Sequence, residues 1–186
     1  MAEEGFAHGR FQLVHLEHEE YLRDVSSACD FMWLGITQPE ISNLVHAHGA
    51  ATHRSDNLAN PLTFWERAVL LGAVLQDSIG RPPDSFRIVP FPIERPAVLT
   101  QYIPSRVEAF TTICEPWNEQ KIRVLQDAGY RVTVLIERET KKYESSTIRR
   151  LIRDGSDGWQ SMVSSTALRV MSQLEVTDRL RSSNLE

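Results

Sequence analysis

Five short apolar runs alternate with stretches of helical period, and this alternation restricts the fold more than any single residue does. The runs are Phe6-Ala7 leading into Gly9, Phe31 to Ile36, Phe86 to Val89, Phe110 to Cys114, and Val132 to Ile136. Each is too short for a helix, so each reads as a buried strand. Apolar residues recur at helical spacing after His18 to about Ser27, from Thr63 to Ser78, and from Trp117 to Ala128. The last of these stops at Gly129, a favourable C-cap. Such an alternation requires helices on both faces of one sheet. The predicted fold class is therefore α/β, a doubly wound parallel sheet. A further helix is expected between Lys141 and Arg153, where Ser145-Ser146-Thr147 supplies a start signal. From Trp159 to about Arg181 one or two amphipathic helices should pack back on the sheet. We expect a single domain over 1–186, with a core at about 4–155 and a C-terminal helical extension at about 156–183.

In such sheets ligands sit at the carboxyl ends of the strands, near the point where strand order reverses. The loop after the first predicted strand is GRFQLVHLEH, residues 9–18, with two histidines three residues apart. A second feature is the long polar loop at 37–62, which holds His46, His48, His53 and Arg54. Loops of that length are usually functional or disordered.

Charge and composition narrow the function classes. A formal net charge of −5 argues against a general binder of nucleic acid or membrane surfaces. No apolar run approaches the ~18 residues of a membrane span. The first residues, MAEEGF, are acidic where a signal peptide is basic. Cys29 and Cys114 are far apart and read as two buried thiols. A cytoplasmic protein is expected. The C-terminal helices could pack within the chain or against a second copy, so a homo-oligomer remains compatible with the sequence.

Three chemistries compete for His15 and His18. Zinc-dependent deaminases start with His-x-Glu, as in His15-Leu16-Glu17, but also need a Pro-Cys-x-x-Cys pair that this chain lacks. The protease pattern His-Glu-x-x-His and its inverse are absent as well. A plain helix start is the second reading. Gly9 and Arg10 favour the third: glycine permits a sharp turn after a strand, and arginine offers a fork of donors suited to phosphate. Helix N-terminal amides add a further anion site.

The stretch resembles the Gly-Arg-Phe-Gln-Pro-x-His-x-Gly-His motif of the nucleotidylyltransferase superfamily, and within it the nicotinamide mononucleotide (NMN) adenylyltransferase family of archaeal type. Two further segments match in order. NPLTFWER at 60–67 resembles Asn-Pro-x-Thr-x-x-Glu-Arg, and YESSTIRR at 143–150 resembles Ile-Ser-Ser-Thr-x-Ile-Arg. The resemblance implies a Rossmann-like enzyme in which an acceptor oxygen attacks the α-phosphate of a nucleoside triphosphate and expels pyrophosphate. It implies that His15, His18 and Arg149 are catalytic. Gly9, Arg10, Phe11, Gln12, Glu17, Ser145, Ser146 and Thr147 would bind nucleotide, with Trp117 and Asn118 near it. Magnesium (Mg2+) would be bridged by the phosphates, with no metal ligand assigned to a protein side chain.

The departures from the family concern the base and the acceptor. Leu13 stands for the motif's proline and Glu17 for its glycine, while Tyr143-Glu144 replace Ile-Ser. A carboxylate at Glu17 would either clash with the usual base position or accept from an exocyclic amino group, which adenine and cytosine both carry. The family's nicotinamide-holding segment corresponds to 93–100, which has neither its tryptophan nor its asparagine and carries Arg95 instead. Arg95, Arg67 and His53 are expected on the acceptor side. The expected partners are a nucleoside triphosphate, with CTP set before ATP, and a small phosphate or phosphonate acceptor. The alternatives are an NMN adenylyltransferase and a catalytically inactive nucleotide-binding module.

Overall fold

The computed structural model describes residues 1–40, 59–114 and 117–182, with the side chain of Trp117 excepted. Five strands form one sheet: β1 (Ala2–Gly9), β2 (Cys29–Ile36), β3 (Phe86–Pro90), β4 (Glu108–Ile113) and β5 (Val132–Glu137). Their order is β3-β2-β1-β4-β5, and every neighbouring pair is parallel. The chain winds outward from β1 through β2 to β3, then crosses back to lay β4 on the other side of β1. The reversal, and hence the expected ligand crevice, falls between β1 and β4.

Helices cover both faces, as a parallel sheet requires. On one face lie α1 (Leu16–Ala28), α2 (Phe64–Ala73), α4 (Ser145–Arg153), α5 (Ser165–Gln173) and α6 (Val176–Ser182). They bury Leu22, Val25, Leu70, Leu71, Ile148, Ile152, Val170 and Leu180 with Ala7, Leu34 and Phe110 of the strands. On the other face α3 (Trp117–Asp127) contributes Leu125 to a smaller core with Phe6, Phe91, Leu99 and Tyr130. Val170, Met171 and Leu180 are nearly or fully buried, so the C-terminal helices belong to the first core. Gly129 follows α3 at φ +91°, the left-handed C-cap expected of it.

Three expectations are corrected. The β3–β4 connection holds a 3-10 segment, Pro96–Gln101, instead of an α-helix, because Pro92, Pro96 and Pro104 remove donors a longer helix would need. The stretch Thr63–Ser78 is not one regular helix: α2 passes into a π-helical turn at Val74–Ser78, and the consecutive Val74 and Leu75 are both fully buried there. Of the two cysteines only Cys29 is buried, Cys114 being half-buried; both are free thiols. Among the described residues no helix is long and apolar enough to cross a membrane.

Candidate active site

The loop from Gly9 to His15 bends on two non-glycine residues with positive φ, Phe11 at +50° and Leu13 at +88°. Such conformations cost roughly 1–3 kcal/mol each and persist only where their surroundings enforce them. Here the enforcement is visible. Phe11 is 2% exposed, and its ring lies so close under Gly9 that a Cβ there would meet it at 2.9 Å. Leu13 is fully buried. A proline fixes φ near −65°, so the proline of the related motif is incompatible with this backbone at position 13.

Side chains from the second and third motif segments clamp the same loop through its main chain. The Gln12 amide pairs with Leu62 as a strand would, donating to its carbonyl (3.1 Å) and accepting from its N–H (2.9 Å). The Arg67 guanidinium donates to the carbonyls of Arg10 (2.9 Å), Thr37 (2.9 Å), Gln38 (2.8 Å) and Thr63 (3.3 Å). Thr63 and Glu66 close a capping box at the start of α2, and Glu66 also pairs with Arg179 of α6. From α4, Arg149 donates to the Gln12 carbonyl (3.0 Å), and the Ser145 hydroxyl donates to the Leu13 carbonyl (3.3 Å).

The two histidines open α1. His15 is its N-cap, and its N–H donates to Nδ1 of His18 at 3.4 Å. Nδ1 of His18 is thus an acceptor, and the proton of the neutral ring sits on Nε2. The rings stack with centroids 3.7 Å apart and planes 19° from parallel. Phe11 meets the His18 ring edge-on at 5.2 Å. Burial pushes His15 down to about 4, the Glu17 charge opposing that and Lys141 adding to it. Burial also holds His18 well below the ordinary range, helped by His15, Lys141 and Arg10. Both imidazoles are neutral at pH 7. Two charges at that separation would repel by about 4 kcal/mol at an effective dielectric of 20, so at most one ring protonates before an anion arrives.

Around them stand cations on fixed supports. Arg149 is 5% exposed and is lowered to about 10 by burial and by the nearby Arg10 and Arg153 charges. Arg10 is half-buried, and its charge is felt at His18, Arg67, Arg149 and Glu94. The first turn of α4 presents Ser146 on the surface and Thr147 half-buried. Two helix starts, α1 and α4, therefore meet at the carboxyl edge beside β1. Their unpaired amides and these cations form a place for a polyphosphate.

Several expected site residues have other duties. Arg67 does not face a ligand, because it is fully buried and its donors are taken by main-chain carbonyls. Phe11 and Gln12 are buried supports of the loop, not surfaces for a nucleotide. The Glu17 carboxylate is held by protein groups. Burial raises its pKa, but the bonds it accepts from Lys142 N (3.0 and 3.1 Å) and Tyr143 N (2.7 Å) and its pair with Arg138 (3.0 Å) together hold it below the ordinary carboxylate value. It staples the β5–α4 loop to α1. Asn118 is buried, and its side-chain oxygen accepts from Cys114 N. Arg95 is exposed and paired with Glu40 at 2.9 Å. His53 and most of the 37–62 loop lie outside the described residues, as does the side chain of Trp117.

Sequence reading missed Arg138 and Lys141, exposed or half-exposed cations that act on Glu17 and on the histidines. It also missed His8. The available signal was a histidine in the otherwise apolar strand end Phe6-Ala7-His8-Gly9.

No family model matches the chain. A phosphonoformate cytidylyltransferase from Streptomyces viridochromogenes is 31% identical over 96% of this chain and 95% of its own length. A nicotinamide-nucleotide adenylyltransferase from Methanothrix thermoacetophila is 28% identical over 96% of this chain and 94% of its own. Among solved structures, a bifunctional NMN adenylyltransferase/ADP ribose pyrophosphatase from Francisella tularensis superimposes with a TM-score of 0.67 at 15% identity, a likeness of fold. The chain spans about half of that structure, 53% of its length against 99% of its own. With its sheet order, its paired histidines and these relatives, the chain belongs to the nucleotidylyltransferase superfamily and is a nucleotidyltransferase of the group that holds phosphonoformate cytidylyltransferase and the archaeal NMN adenylyltransferases.

Proposed function

We propose that the chain transfers a cytidylyl group from CTP to a small phosphonate or phosphate acceptor and releases pyrophosphate. The observation that carries the reading is the stacked pair His15 and His18, neutral and half or fully buried between two helix starts, with Arg10 and Arg149 beside it. Such a pair binds a triphosphate as hydrogen-bond donors and gains positive character as negative charge accumulates on the leaving group. An acceptor oxygen attacks the α-phosphorus, the bond to the bridging oxygen of the β-phosphate breaks, and pyrophosphate leaves. Arg10 and the amides around Ser145 and Ser146 would hold the β- and γ-phosphates, and Arg149 would face the leaving pyrophosphate. No side chain has to act as a covalent nucleophile, so catalysis rests on positioning and charge neutralisation.

The Francisella tularensis protein was crystallised with AMP and a manganese ion. A divalent ion, magnesium in our reading, would enter here with the triphosphate. Among the described residues no cluster of three or more His, Cys, Asp or Glu side chains is placed to hold it; in this reading the ion is carried on phosphate oxygens.

The choice of donor and acceptor is supported by the relative that is 31% identical, a phosphonoformate cytidylyltransferase, and by the missing aromatic platform at 93–100. A thermal-shift panel of ATP, CTP, GTP and UTP with magnesium reads the donor, since a ligand that binds only the folded state raises its melting temperature. CTP should give the largest shift. Pyrophosphate release should then occur with CTP and a phosphonate. Turnover of ATP with NMN, and none of CTP with any phosphonate, would replace the proposal by NMN adenylylation.

A further inference from the structure

β1 and β4 pair at Gly5–Glu108 and Phe6–Ala109. Just beyond, on the α1 face, the Tyr21 hydroxyl sits between the strands, donating to the Phe110 carbonyl at 2.6 Å and accepting from His8 N–H at 3.4 Å. The opposite face of the same gap is different. His8 is 5% exposed, with Phe6 at 5.8 Å and Phe91 at 5.6 Å between ring centroids, and both its ring nitrogens are buried without a hydrogen-bond partner. Thr111 lies two residues beyond Ala109 on β4 and so on the same face. It is fully buried, and its hydroxyl also has no partner. Lys121 stands one turn before the fully buried Leu125 on α3, which places it on the inward stripe of that helix. Its charge, after burial, helps keep His8 below the usual histidine range.

Buried polar groups almost always have partners. Two without one, on facing strands at the switch point and next to Gly9-Arg10, mark the crevice where a ligand is expected. The aromatic surroundings of His8 would accept a phenylalanine, so packing gives no reason for an imidazole there. A neutral imidazole N–H, a hydroxyl and an ammonium group together suit a small oxyanion.

We infer that His8, Thr111 and Lys121 form the subsite for the non-reacting anionic end of the acceptor, a carboxylate set beside the attacking phosphonate. The inference rests on the reading of the chain as a transferase to small acceptors. It accounts for how the acceptor is chosen without the absent aromatic platform. The phosphonate oxygen then faces the His15–His18 side, and the carboxylate reaches back along β1.

The test uses the full chain with CTP and magnesium chloride and two acceptors, phosphonoformate and methylphosphonate, which share the nucleophile and differ in the carboxylate. The wild type should prefer phosphonoformate. His8→Phe and Thr111→Val should each raise its KM by at least about tenfold, as expected for a lost charge-assisted hydrogen bond. The KM for CTP should stay within about twofold. Preference for phosphonoformate surviving in both variants would overturn the subsite, His8 then holding a structural water only. If the wild type transfers to neither acceptor, the transferase reading fails and calorimetric titration with phosphonoformate decides the subsite separately. Binding that His8→Phe abolishes keeps it; binding unchanged in the variant, or absent from the wild type, ends it. Thr111→Val keeps the test valid should His8→Phe not fold.

Discussion

On the α1 side of the sheet's carboxyl edge, Gln12, Glu17, Arg67, Ser145 and Arg149 all direct their side chains to main-chain groups of neighbouring loops. On the α3 side, His8 and Thr111 have buried polar atoms that contact no partner. On the first side the side chains that shape the loop are satisfied before any ligand arrives, and they hold its strained backbone by hydrogen bonds to peptide groups. The second is left for a ligand to complete. A site divided in this way can keep one reaction and change its acceptor, because the phosphate-holding loop does not depend on the few side chains that meet the acceptor.

The largest effect should come from removing the clamp on the complete side. Arg67→Met leaves the carbonyls of Arg10, Thr37 and Gln38 without their guanidinium donor, and should lower unfolding free energy by about 3–5 kcal/mol, read by urea titration. Arg95→Ala, which loses a half-exposed pair with Glu40, should change it by less than about 1 kcal/mol. Equal losses in the two variants would erase the distinction between the sides.

Next in size is the pH dependence. His15 has a folded pKa of about 4 against an ordinary 6.5, so between those values the unfolded chain binds more protons than the folded one. Its contribution to stability is present above pH 6.5 and is lost as pH falls towards 4, about 3 kcal/mol in all. His8 and His18 act in the same direction. Denaturation midpoints at pH 7.5, 5.5 and 4.5 should fall steadily, and His15→Leu should flatten the decline. No flattening would mean that the ring is not desolvated as described.

His18→Ala should slow pyrophosphate release by at least ~10²-fold, about 2.7 kcal/mol of transition-state stabilisation. An unchanged rate would remove the ring from the chemistry. The smallest expected change is at the staple. Glu17→Ala frees the amides of Lys142 and Tyr143 and should cost about 1–3 kcal/mol of stability. Its kinetic effect should appear mainly in the KM for the triphosphate, since the α4 start is no longer fixed to α1. A change in base preference instead would return Glu17 to base recognition.

The fold was legible because period and length carry it: all five strands fall where the apolar runs lie, and Gly129 ends α3. The π-helical turn at Val74–Ser78 was not, since Val74 and Leu75 read equally well as ordinary helix. In the site, the residues the motifs single out, His15, His18, Ser145 and Arg149, lie around one loop. Motif spacing did not reveal the main-chain partners of Arg67 and Glu17. A charged residue in a motif reads as facing a ligand, whereas here main-chain carbonyls and amides satisfy it, and the pattern of residues does not record which peptide groups a fold leaves unpaired. His8 escaped notice for the converse reason: only the packing shows that nothing meets its nitrogens.

The most direct test of the account is a 31P NMR time course of the protein with CTP, phosphonoformate and magnesium chloride. The account predicts paired resonances of a cytidylyl-phosphonate anhydride growing in step with pyrophosphate, and none of these when His18 is alanine. A spectrum in which CTP and phosphonoformate stay unchanged, while ATP and NMN in a parallel tube give pyrophosphate, would contradict it.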